Sequence, residues 1–580
     1  MYRLFIDNEE VEVNSKGLIQ LSKMLIDLED LSLRGINITN TLNLPFTQKN
    51  DRLTGYPSRL SSNNLAFESR KEYTLFDQSG IISRGNVIIK SFDDKKGIKI
   101  QLAEGSNFWN EAGSQLLDDL ILHEDDFVFT TANMNALKVK SSSVFLTALH
   151  SATGSANDTA LVSYDYTRPC YNFRVVLDKI VNQLGYVIDY TNTLELTDLL
   201  NIGCLSNAEK FLVSDYKVRF QNINQNGAIV YTGATSVFSK AGNVTQSGSN
   251  LTNATYKTSY VIKGFINAVR SSEITFNIDG NREIINIPAG RSLLNFRTDS
   301  IEVGKDVSIN FSDLVTLEDV YIYSAIDEND IFKVDGSISV DNFLVLADYN
   351  LPEQTQKQFI KNLIKANFLD FTIDENNKVF SLRYLPDILD VNRASDFSQK
   401  VERYFEVKAG KVYGQLTTLS YNNDDNIAIS RGTAYISIKN ENAPENKEIL
   451  SFKDYSASLE IDASGENVLV ANIYDTVTNE RQSVRDRLLF FNEVGAFGFN
   501  AVFTAISWQR LYAKHYVRFI QATQRERVIQ FDAFINDLDF RNLQDNPLIY
   551  VDFLQSVFLV TEIDGFDSVN KCKLKCIKYN

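Results

Sequence analysis

The side chains in this sequence that could do chemistry are few and scattered. The chain contains three histidines, which lie far apart: His123, His150 and His515. It has no nucleophile-elbow, phosphate-loop or zinc-protease motif. The densest group is the HEDD stretch at residues 123–126, where a metal site is conceivable. Because four adjacent side chains point in different directions on any regular element, we predict a solvated turn there.

The four cysteines are too few for a disulfide framework in a chain of 580 residues, so we expect free thiols. Cys572 and Cys576 share one face of a predicted strand. A zinc site would need two further soft ligands at suitable spacing, and the other two cysteines, Cys170 and Cys204, are distant along the chain. We therefore predict that Cys572 and Cys576 are thiols of the core.

Carbohydrate chemistry stays open at this point. Glycoside hydrolysis needs two carboxylates about 5–10 Å apart, and 74 acidic residues offer many pairs without identifying one. Tyr260, Tyr321 and Tyr323 could form a platform on which a sugar stacks, although tyrosines on strands are more often half-buried sheet residues. We expect a protein that is not an enzyme, and we assign no catalytic, cofactor-binding, metal-binding or glycan-binding residue.

The charge balance argues against a protein that wraps nucleic acid. With 74 acidic and 58 basic residues the formal net charge is −16, whereas binding of nucleic acid requires cations that neutralise phosphate. An acidic surface would let DNA pass nearby without binding it. No run of 18 apolar residues is present, so we expect no membrane span. The N-terminus reads as a strand rather than a signal peptide, which predicts synthesis in a cytoplasm.

Two helices, each followed by a strand, are the clearest local predictions. In residues 172–190, apolar side chains recur at helical spacing. Asn172 is a suitable N-cap, and Gly185 suits the position after the helix, where a strand begins. Residues 353–373 repeat this plan, with a helix that ends at Asn367 and then a strand. The repeat is consistent with two related halves, or simply with a common pattern.

The chain length suggests about three to five domains. Residues 217–350 are rich in Gly, Ser, Thr and Asn and contain short alternating runs, which indicates an inserted β-sandwich. We predict a mainly β protein with a few helices, built as two barrel-like domains and this sandwich. The predicted boundaries are 1–165 for an N-terminal barrel-like domain, 166–216 for a helix–strand connector, 217–350 for the inserted module, 351–404 for the second helix–strand unit and 405–580 for a C-terminal barrel-like domain.

An alternating strand between Gly35 and Leu53 has a polar face that carries no charge. The polar face consists of four residues: Asn37, Thr39, Thr41 and Asn43. Such a face suits subunits that join in a ring, because it is neither core nor ordinary charged surface. We therefore predict that these four residues line a ring interface or a lumen. The alternative is an ordinary exposed face of an antiparallel sheet.

Several segments, in their order along the chain, resemble a family of tail proteins from bacteriophages that infect Bacteroidetes-type bacteria. The resemblance covers most of residues 1–205 and 350–580 and does not extend to the module between them. The segments that carry it are LEDLSLRGINITNTLNLPFTQKNDRLTGYPSR, GIISRGNVIIKSF, SNFWNEAGSQLLDDL, QKQFIKNLIKANFLDFTIDENNKVFSLRYL, ASDFSQKVERYF, GKVYGQLTTLSYNNDD and INDLDFRNLQDNPLIYVDFLQSVFLVTEIDGF.

This resemblance implies a virion protein near the tail tip, similar to baseplate or tail-hub proteins. Proteins of that kind use two barrel domains so that three subunits form a pseudo-sixfold ring, which joins a sixfold tail tube to a threefold spike or fibre. They have no catalytic residues to transfer to this chain. The resemblance leaves open whether the chain is the hub or a neighbouring distal-tail or fibre-attachment protein.

Together, the residues and the resemblance predict a structural ring at the tail tip that conducts DNA without binding it specifically. The expected partners are further copies of the chain, as a homotrimer or a hexamer, and the tube, spike and fibre proteins. The protein would be made in the host bacterial cytoplasm and reside in the virion. The alternatives are a receptor-binding protein that recognises host-surface glycans through residues 217–350, or a tail-associated glycan hydrolase.

Overall fold

The chain is mainly β with a few short helices, as the sequence predicts. The computed structural model describes the following residues: 3–13, 21–28, 30, 37–59, 67, 71–76, 81–103, 107–128, 130, 133, 144–148, 167–190, 202–205, 212–240, 244–327, 342–374, 377–410, 412–422, 429–430, 434–439, 441, 443–456, 458–461, 467–468, 472–475, 480–483, 487–491, 503–505, 508–523, 527–567 and 569–579.

The helices serve mainly to cover sheets. The α-helices span Gln48–Leu53, Asn107–Ser114, Phe173–Gln183, Gln356–Asn367, Leu385–Ile388, Trp508–Leu511, Val517–Thr523 and Asp537–Asp545, and a π-helical turn spans Tyr512–Tyr516. Short 3₁₀ turns span Leu117–Asp119, His123–Asp125, Val391–Arg393 and Asp552–Leu554. No helix of the described chain is long and apolar enough to cross a membrane.

The largest sheet combines strands from both ends of the chain. Within the described residues it has thirteen strands: Arg3–Ile6, Glu9–Glu10, Leu21–Met24, Asn37–Leu44, Lys71–Phe76, Ile81–Asp93, Gly97–Ala103, Ser395–Asp396, Val401–Ala409, Arg527–Ala533, Leu548–Val551, Ser556–Phe566 and Cys572–Tyr579. The junction is the strand Leu21–Met24, which pairs with Asn37–Leu44 on one side and with Ser556–Phe566 on the other. The first and last parts of the chain thus share one sheet.

A common hydrophobic core reinforces this junction. Side chains from the N-terminal strands, such as Leu44 and Ile100, belong to the same buried cluster as Phe531 and Leu574 from the C-terminal strands. The N-terminal and C-terminal parts of the chain therefore share one core. We call the described residues of 3–205 and 351–579 the frame. Cys572 and Cys576 are buried free thiols in this core, which confirms their predicted role.

Both predicted helix–strand units are confirmed. Asn172 caps the helix Phe173–Gln183 by accepting hydrogen bonds from two backbone N–H groups of its first turn, and Gly185 has the positive φ that follows such a helix. The helix Gln356–Asn367 runs into the strand Leu369–Asp374. Both helices contribute buried side chains to a second large core.

The two units also meet in space. The rings of Phe173 and Phe359, one from each helix, are stacked with centroids 4.3 Å apart. The strands Val187–Asp189 and Leu369–Asp374 flank the same central strand, Val379–Tyr384. The helices and strands of the two units therefore form one packed layer rather than two separate domains.

Several smaller sheets complete the described part of the frame. A five-stranded sheet contains Val144–Ala148, Thr167–Asn172, Ile202–Leu205, Arg487–Phe491 and Phe503–Ala505. Further short strands lie in two- and three-stranded sheets: Leu416–Leu419, Tyr421–Asn422, Ile429–Ser430, Ala434–Ser437, Asn446–Glu448, Phe452–Ser456, Ser458–Ile461, Asn467–Val468, Asn472–Asp475 and Glu480–Ser483.

The inserted module is dominated by a twelve-stranded arrangement. Its described strands are Phe127–Val128, Leu212–Ser214, Tyr216–Ala228, Thr235–Ser239, Val244–Ser247, Asn250–Asn253, Ser259–Ala268, Ser272–Ile278, Asn281–Ile287, Gly290–Arg297, Asp306–Asp327 and Leu344–Val345. The long strand Asp306–Asp327 is central to this arrangement, since five other strands pair along it. A separate hydrophobic core fills the module.

The module leaves and re-enters the frame at one place. Val213 pairs with Val345, and Val345 also pairs with Phe127. Val213 lies where the chain enters the module and Val345 lies near the point where it leaves. Phe127 belongs to the frame, although its short strand extends the sheet of the module. The two connections therefore lie side by side. Entry and exit points that lie this close are typical of an inserted domain.

We predict that the stacked phenylalanines hold the two helix–strand units together. Phe359→Ala should destabilise the surrounding core by about 3–5 kcal/mol, because it removes a fully buried ring and leaves a cavity. Scanning calorimetry of the purified chain measures this change. Phe67→Ala is the matched control, since Phe67 is 51% exposed, and it should change stability by no more than about 0.5 kcal/mol. Equal effects of both variants would contradict the prediction.

Candidate functional site

A buried network of ion pairs lies where the inserted module meets the frame. Lys217 and Lys263 come from adjacent parts of the module, on the strands Tyr216–Ala228 and Ser259–Ala268, and both side chains are fully buried. Asp126 follows a 3₁₀ turn of the frame, and Asp348 lies in the segment that leads out of the module. We call these four residues and their neighbours the buried ion-pair network.

Lys217 is held by three kinds of contact. Its ammonium donates a hydrogen bond to the carboxylate of Asp126 and lies 2.8 Å from Nδ1 of His123. The same ammonium lies 4.7 Å from the ring centroid of Tyr321 and 5.2 Å from that of Tyr323. Aromatic faces favour a cation at such distances, and the effect is larger where water is excluded.

The second lysine has an equivalent setting. The ammonium of Lys263 donates to Oδ2 of Asp348 at 2.7 Å and to the backbone carbonyl of Asp118, and it lies 4.9 Å from the ring centroid of Tyr349. Asn295 adds two contacts, since its amide donates to Oδ1 of Asp119 at 2.9 Å and to the backbone carbonyl of Asp118 at 3.3 Å. Module and frame are therefore joined by charged and neutral hydrogen bonds together.

Local structure explains how the frame supplies its carboxylate. The chain turns in a 3₁₀ turn at His123–Asp125, which carries Glu124 outward with 85% of its side chain exposed. Asp126 then points inward, where its Oδ1 accepts a hydrogen bond from the backbone N–H of Ala347 at 2.8 Å. The Asp126 carboxylate thus bridges the module's lysine and the module's exit segment.

Burial shifts the pKa of both side chains that residues 123–126 contribute to the network. Burial raises the pKa of Asp126 to about 6, although the nearby Lys217 ammonium opposes the shift. Burial, assisted by Lys217, lowers the pKa of His123 well below its usual value, so the imidazole is neutral at pH 7. Because an ammonium can only donate, Nδ1 of His123 accepts from Lys217 and the proton lies on Nε2. Two ammonium groups then face two carboxylates.

The same residues include a possible set of metal ligands. Ligand atoms of His123, Asp126 and Asp348 lie within 4.8 Å of one another. Each carboxylate, however, already accepts a hydrogen bond from a buried lysine ammonium, and His123 faces Lys217. Nε2 of His123 and Oδ1 of Asp348 are buried and have no hydrogen-bond partner among the described residues. A divalent cation would nevertheless lie beside two buried lysine ammonium groups, at a large electrostatic cost. This arrangement favours ion pairing over metal binding.

The prediction of a solvated turn at residues 123–126 is wrong for two of the four side chains. His123 and Asp126 are buried against the module, and the His123 ring lies 3.8 Å from the ring of Tyr321, centroid to centroid. The proposed sugar platform is also wrong. Tyr260, Tyr321 and Tyr323 are buried, so no ligand can stack on them.

Of the other two histidines, His515 lies away from this network. His150 lies outside the described residues. His515 borders a surface groove of about 1590 Å³, where its Nδ1 lies 3.1 Å from the hydroxyl of Tyr384. Burial lowers the pKa of His515 to about 4, so its imidazole is neutral at pH 7. Such a weakly basic group suits packing beside Tyr384 better than proton transfer at neutral pH.

The strand predicted to line a ring is present, and it spans Asn37–Leu44. It is an internal strand of the large sheet, paired on both sides. Asn43 is exposed whereas Leu42 and Leu44 are buried, so the predicted alternation holds at this end. The side chains of Asn37, Thr39 and Thr41 lie outside the described part of the chain. Their role in an interface or lumen stays a prediction.

Comparison with known proteins gives no family assignment, since no family model and no curated protein matches the chain. Among solved structures, a 43 kDa tail protein of prophage MuSo2 from Shewanella oneidensis is similar over 99% of this chain and 97% of its own, with 7% identity and a TM-score of 0.34.

Two shorter proteins are similar to about a fifth of the chain. Murine APRIL matches 19% of this chain and 98% of its own, with 6% identity and a TM-score of 0.16. The vertex protein P5 of PRD1 matches 20% of this chain and 97% of its own, with 9% identity and a TM-score of 0.16. All three TM-scores are too low to establish a common fold.

We predict that breaking one buried pair is costly and that removing the whole pair is not. Lys263→Met should destabilise the protein by about 3–5 kcal/mol, because it leaves the Asp348 carboxylate buried without its ammonium. The double variant Lys263→Met/Asp348→Leu should recover much of this loss. Scanning calorimetry measures both.

The control for this comparison is an exposed ion pair of the same module. Lys305→Met breaks the pair with Asp279 on the surface, and it should leave the melting temperature unchanged because solvent screens that pair. If the double variant is as unstable as Lys263→Met alone, a stranded charge is not the cause of the loss.

We also predict that metal ions are not part of the network. Neither excess Zn²⁺ nor a chelator should shift the melting temperature, because Lys217 and Lys263 already neutralise the carboxylates. Thermal unfolding with and without each reagent tests this. A rise in melting temperature with Zn²⁺ that disappears in Asp348→Asn would show that the ion binds at this place.

Proposed function

We propose that this protein is a structural component of a bacteriophage tail, and that it works at the tail tip as a hub or baseplate subunit. The order of tail-family segments in residues 1–205 and 350–580 supports this role. The structural observation that carries it is the way the inserted module is fixed: a frame built from both chain ends holds the module through fully buried ion pairs.

Such a construction suits a mechanical task. Pairing of Leu21–Met24 with strands on both sides ties the two ends of the chain together through backbone hydrogen bonds. The module cannot rotate against the frame without separating Lys217 from the Asp126 carboxylate and Lys263 from the Asp118 carbonyl, which is costly in a buried place. A subunit of this kind can transmit force between a tail tube and a spike or fibre.

The charge of the chain is compatible with a channel for DNA. Each chain carries a formal net charge of −16, so a ring of three would carry −48 (3 × −16). Acidic walls repel phosphate and allow DNA to pass without being retained. We propose that the ring is a homotrimer, or a hexamer, of this chain.

The two alternative functions, glycan binding and glycan hydrolysis, would both require residues other than the three tyrosines of the sequence analysis and the carboxylates of the ion-pair network. A receptor-binding role for the module cannot use Tyr260, Tyr321 or Tyr323, since these are buried. A hydrolase would need a pair of carboxylates outside the ion-pair network, where Asp126 and Asp348 are bound to lysines. The structural role is the one that the geometry supports best.

Native mass spectrometry of the purified chain tests this proposal, and we expect a closed trimer or hexamer.

Labelling with an antibody should place the protein at the tail tip in electron micrographs of intact virus particles. A chain that stays monomeric at high concentration, is missing from virus particles and binds capsular sugars on an array would contradict the proposal and favour a glycan-binding protein.

A further inference from the structure

The inserted module has two open sides that differ in character. Other strands of the module pair with the long strand Asp306–Asp327 along both of its edges. At Asn310 the partners are Ala228 on one side and Thr275 on the other. At Ser308 they are Asn250 and Asn277. The strands Tyr216–Ala228 and Asn250–Asn253 therefore share one side of the long strand.

Each side of the module ends in two edge strands. On the side just defined, the outermost strands are Thr235–Ser239 and Val244–Ser247. They are close to each other, since the hydroxyl of Tyr216, next to the first, donates to the side chain of Gln246 in the second at 3.3 Å. On the opposite side, the outermost strands are Asn281–Ile287 and Gly290–Arg297.

Charge separates the two sides clearly. Residues 220–256, which include both edge strands of the first side, contain a single charged residue, Lys240. Residues 269–305, a segment of equal length that includes the opposite edges, contain ten charged residues. The Lys240 ammonium lies 3.5 Å from the ring centroid of Phe343, a residue near the frame, and does not reach outward. We call residues 220–256 with their two edge strands the uncharged side.

The uncharged side is also open to solvent. Thr235, Ser236, Val237 and Ser239 are exposed, so both faces of this strand are accessible. Three of the four residues of Val244–Ser247 are exposed as well. Within the described chain, each edge strand pairs with one neighbour only, which leaves its outer backbone groups available for another strand.

Edge strands of soluble proteins are normally protected by charges or proline, because an unprotected edge recruits a further strand. The opposite side follows this rule, with Arg282 and Glu283 on one edge and Arg291 and Arg297 on the other. The strands TSVFS and VTQS of the uncharged side contain neither charge nor proline. This side has the composition of a surface that becomes covered.

We propose that the uncharged side binds a second copy of this chain by edge-to-edge strand pairing; the inference rests on the proposed ring and assigns one of its interfaces. A copy is favoured as the partner because of charge. Chains of net charge −16 repel one another, and they can approach closely only where carboxylates are absent. Burying an uncharged strand requires no desolvation of charge.

Other partners fit the uncharged side less well. Nucleic acid would need several cations, and this side offers only Lys240. A sugar would need an exposed aromatic face to stack on. Tyr231 is buried and Phe238 is half-buried, so the aromatic rings of this side are not presented in that way.

Single charge insertions test the inference on the full-length chain. Val237→Glu places a carboxylate on the uncharged edge at a position that is 46% exposed, so folding should be unaffected. We expect the assembly measured by analytical ultracentrifugation to weaken by at least about tenfold, because the added carboxylate would have to be desolvated against an uncharged strand of the neighbouring chain. The matched control is Ile284→Glu on the opposite edge, where the side chain is 57% exposed, and it should assemble like the wild type.

Hydrogen exchange gives a second, independent measurement. Backbone amides of Thr235–Ser239 should exchange more slowly in the assembled protein than in the Val237→Glu variant, whereas those of Asn281–Ile287 should not change. Assembly of Val237→Glu at wild-type strength, or a wild-type chain that stays monomeric, would overturn the inference. The tail role is judged separately, by the presence or absence of the protein in purified virus particles.

Discussion

The structure depends on the need to neutralise two lysines that are fully buried between the inserted module and the frame. A lone ammonium in such a place would lose its proton or carry a large desolvation cost. Lys217 and Lys263 keep their contacts because Asp126 and Asp348 face them, with tyrosine rings on the remaining sides. Separating module and frame would strand the charges of Lys217 and Asp126, and it would remove the Asp118 carbonyl from the Lys263 ammonium. Their relative position is therefore a property of the fold rather than of a flexible tether.

This constraint explains why an insertion can be accommodated without weakening the frame. The frame closes on itself, since its first and last strands share a sheet and a core. The module enters and leaves through the paired strands at Val213 and Val345, next to Phe127. Its own apolar core is complete. The orientation of the module relative to the frame must still be fixed. The buried ion pairs contribute to this, because charged hydrogen bonds are more directional than apolar contacts.

Local patterns in the sequence were sufficient to predict individual helices and strands. They did not predict contacts between segments that lie far apart along the chain. The helix after Asn172 and the core position of Cys576 follow from spacing alone, and both are confirmed. The burial of His123 does not, because its partner Lys217 lies 94 residues further along the chain. Alternation likewise places Tyr321 on one face of a strand, but it cannot show that a turn of the frame covers that face. Lysines inside a strand pattern, as in YKVRF and VIKGF, were the available hint that an acidic partner faces them.

The distribution of charge in the module shows that folding alone does not account for its surface. Some of its charged residues lie at the contact with the frame, as Lys217 and Lys263 do, and many of the others lie on one open side. A sandwich that faced only water would gain solubility from charges on every edge, and an acidic chain has many to place. The strands Thr235–Ser239 and Val244–Ser247 have none, although inner neighbours such as Val218 are already buried. Because an edge without charge or proline is open to pairing with a further strand, this composition favours contact with another chain.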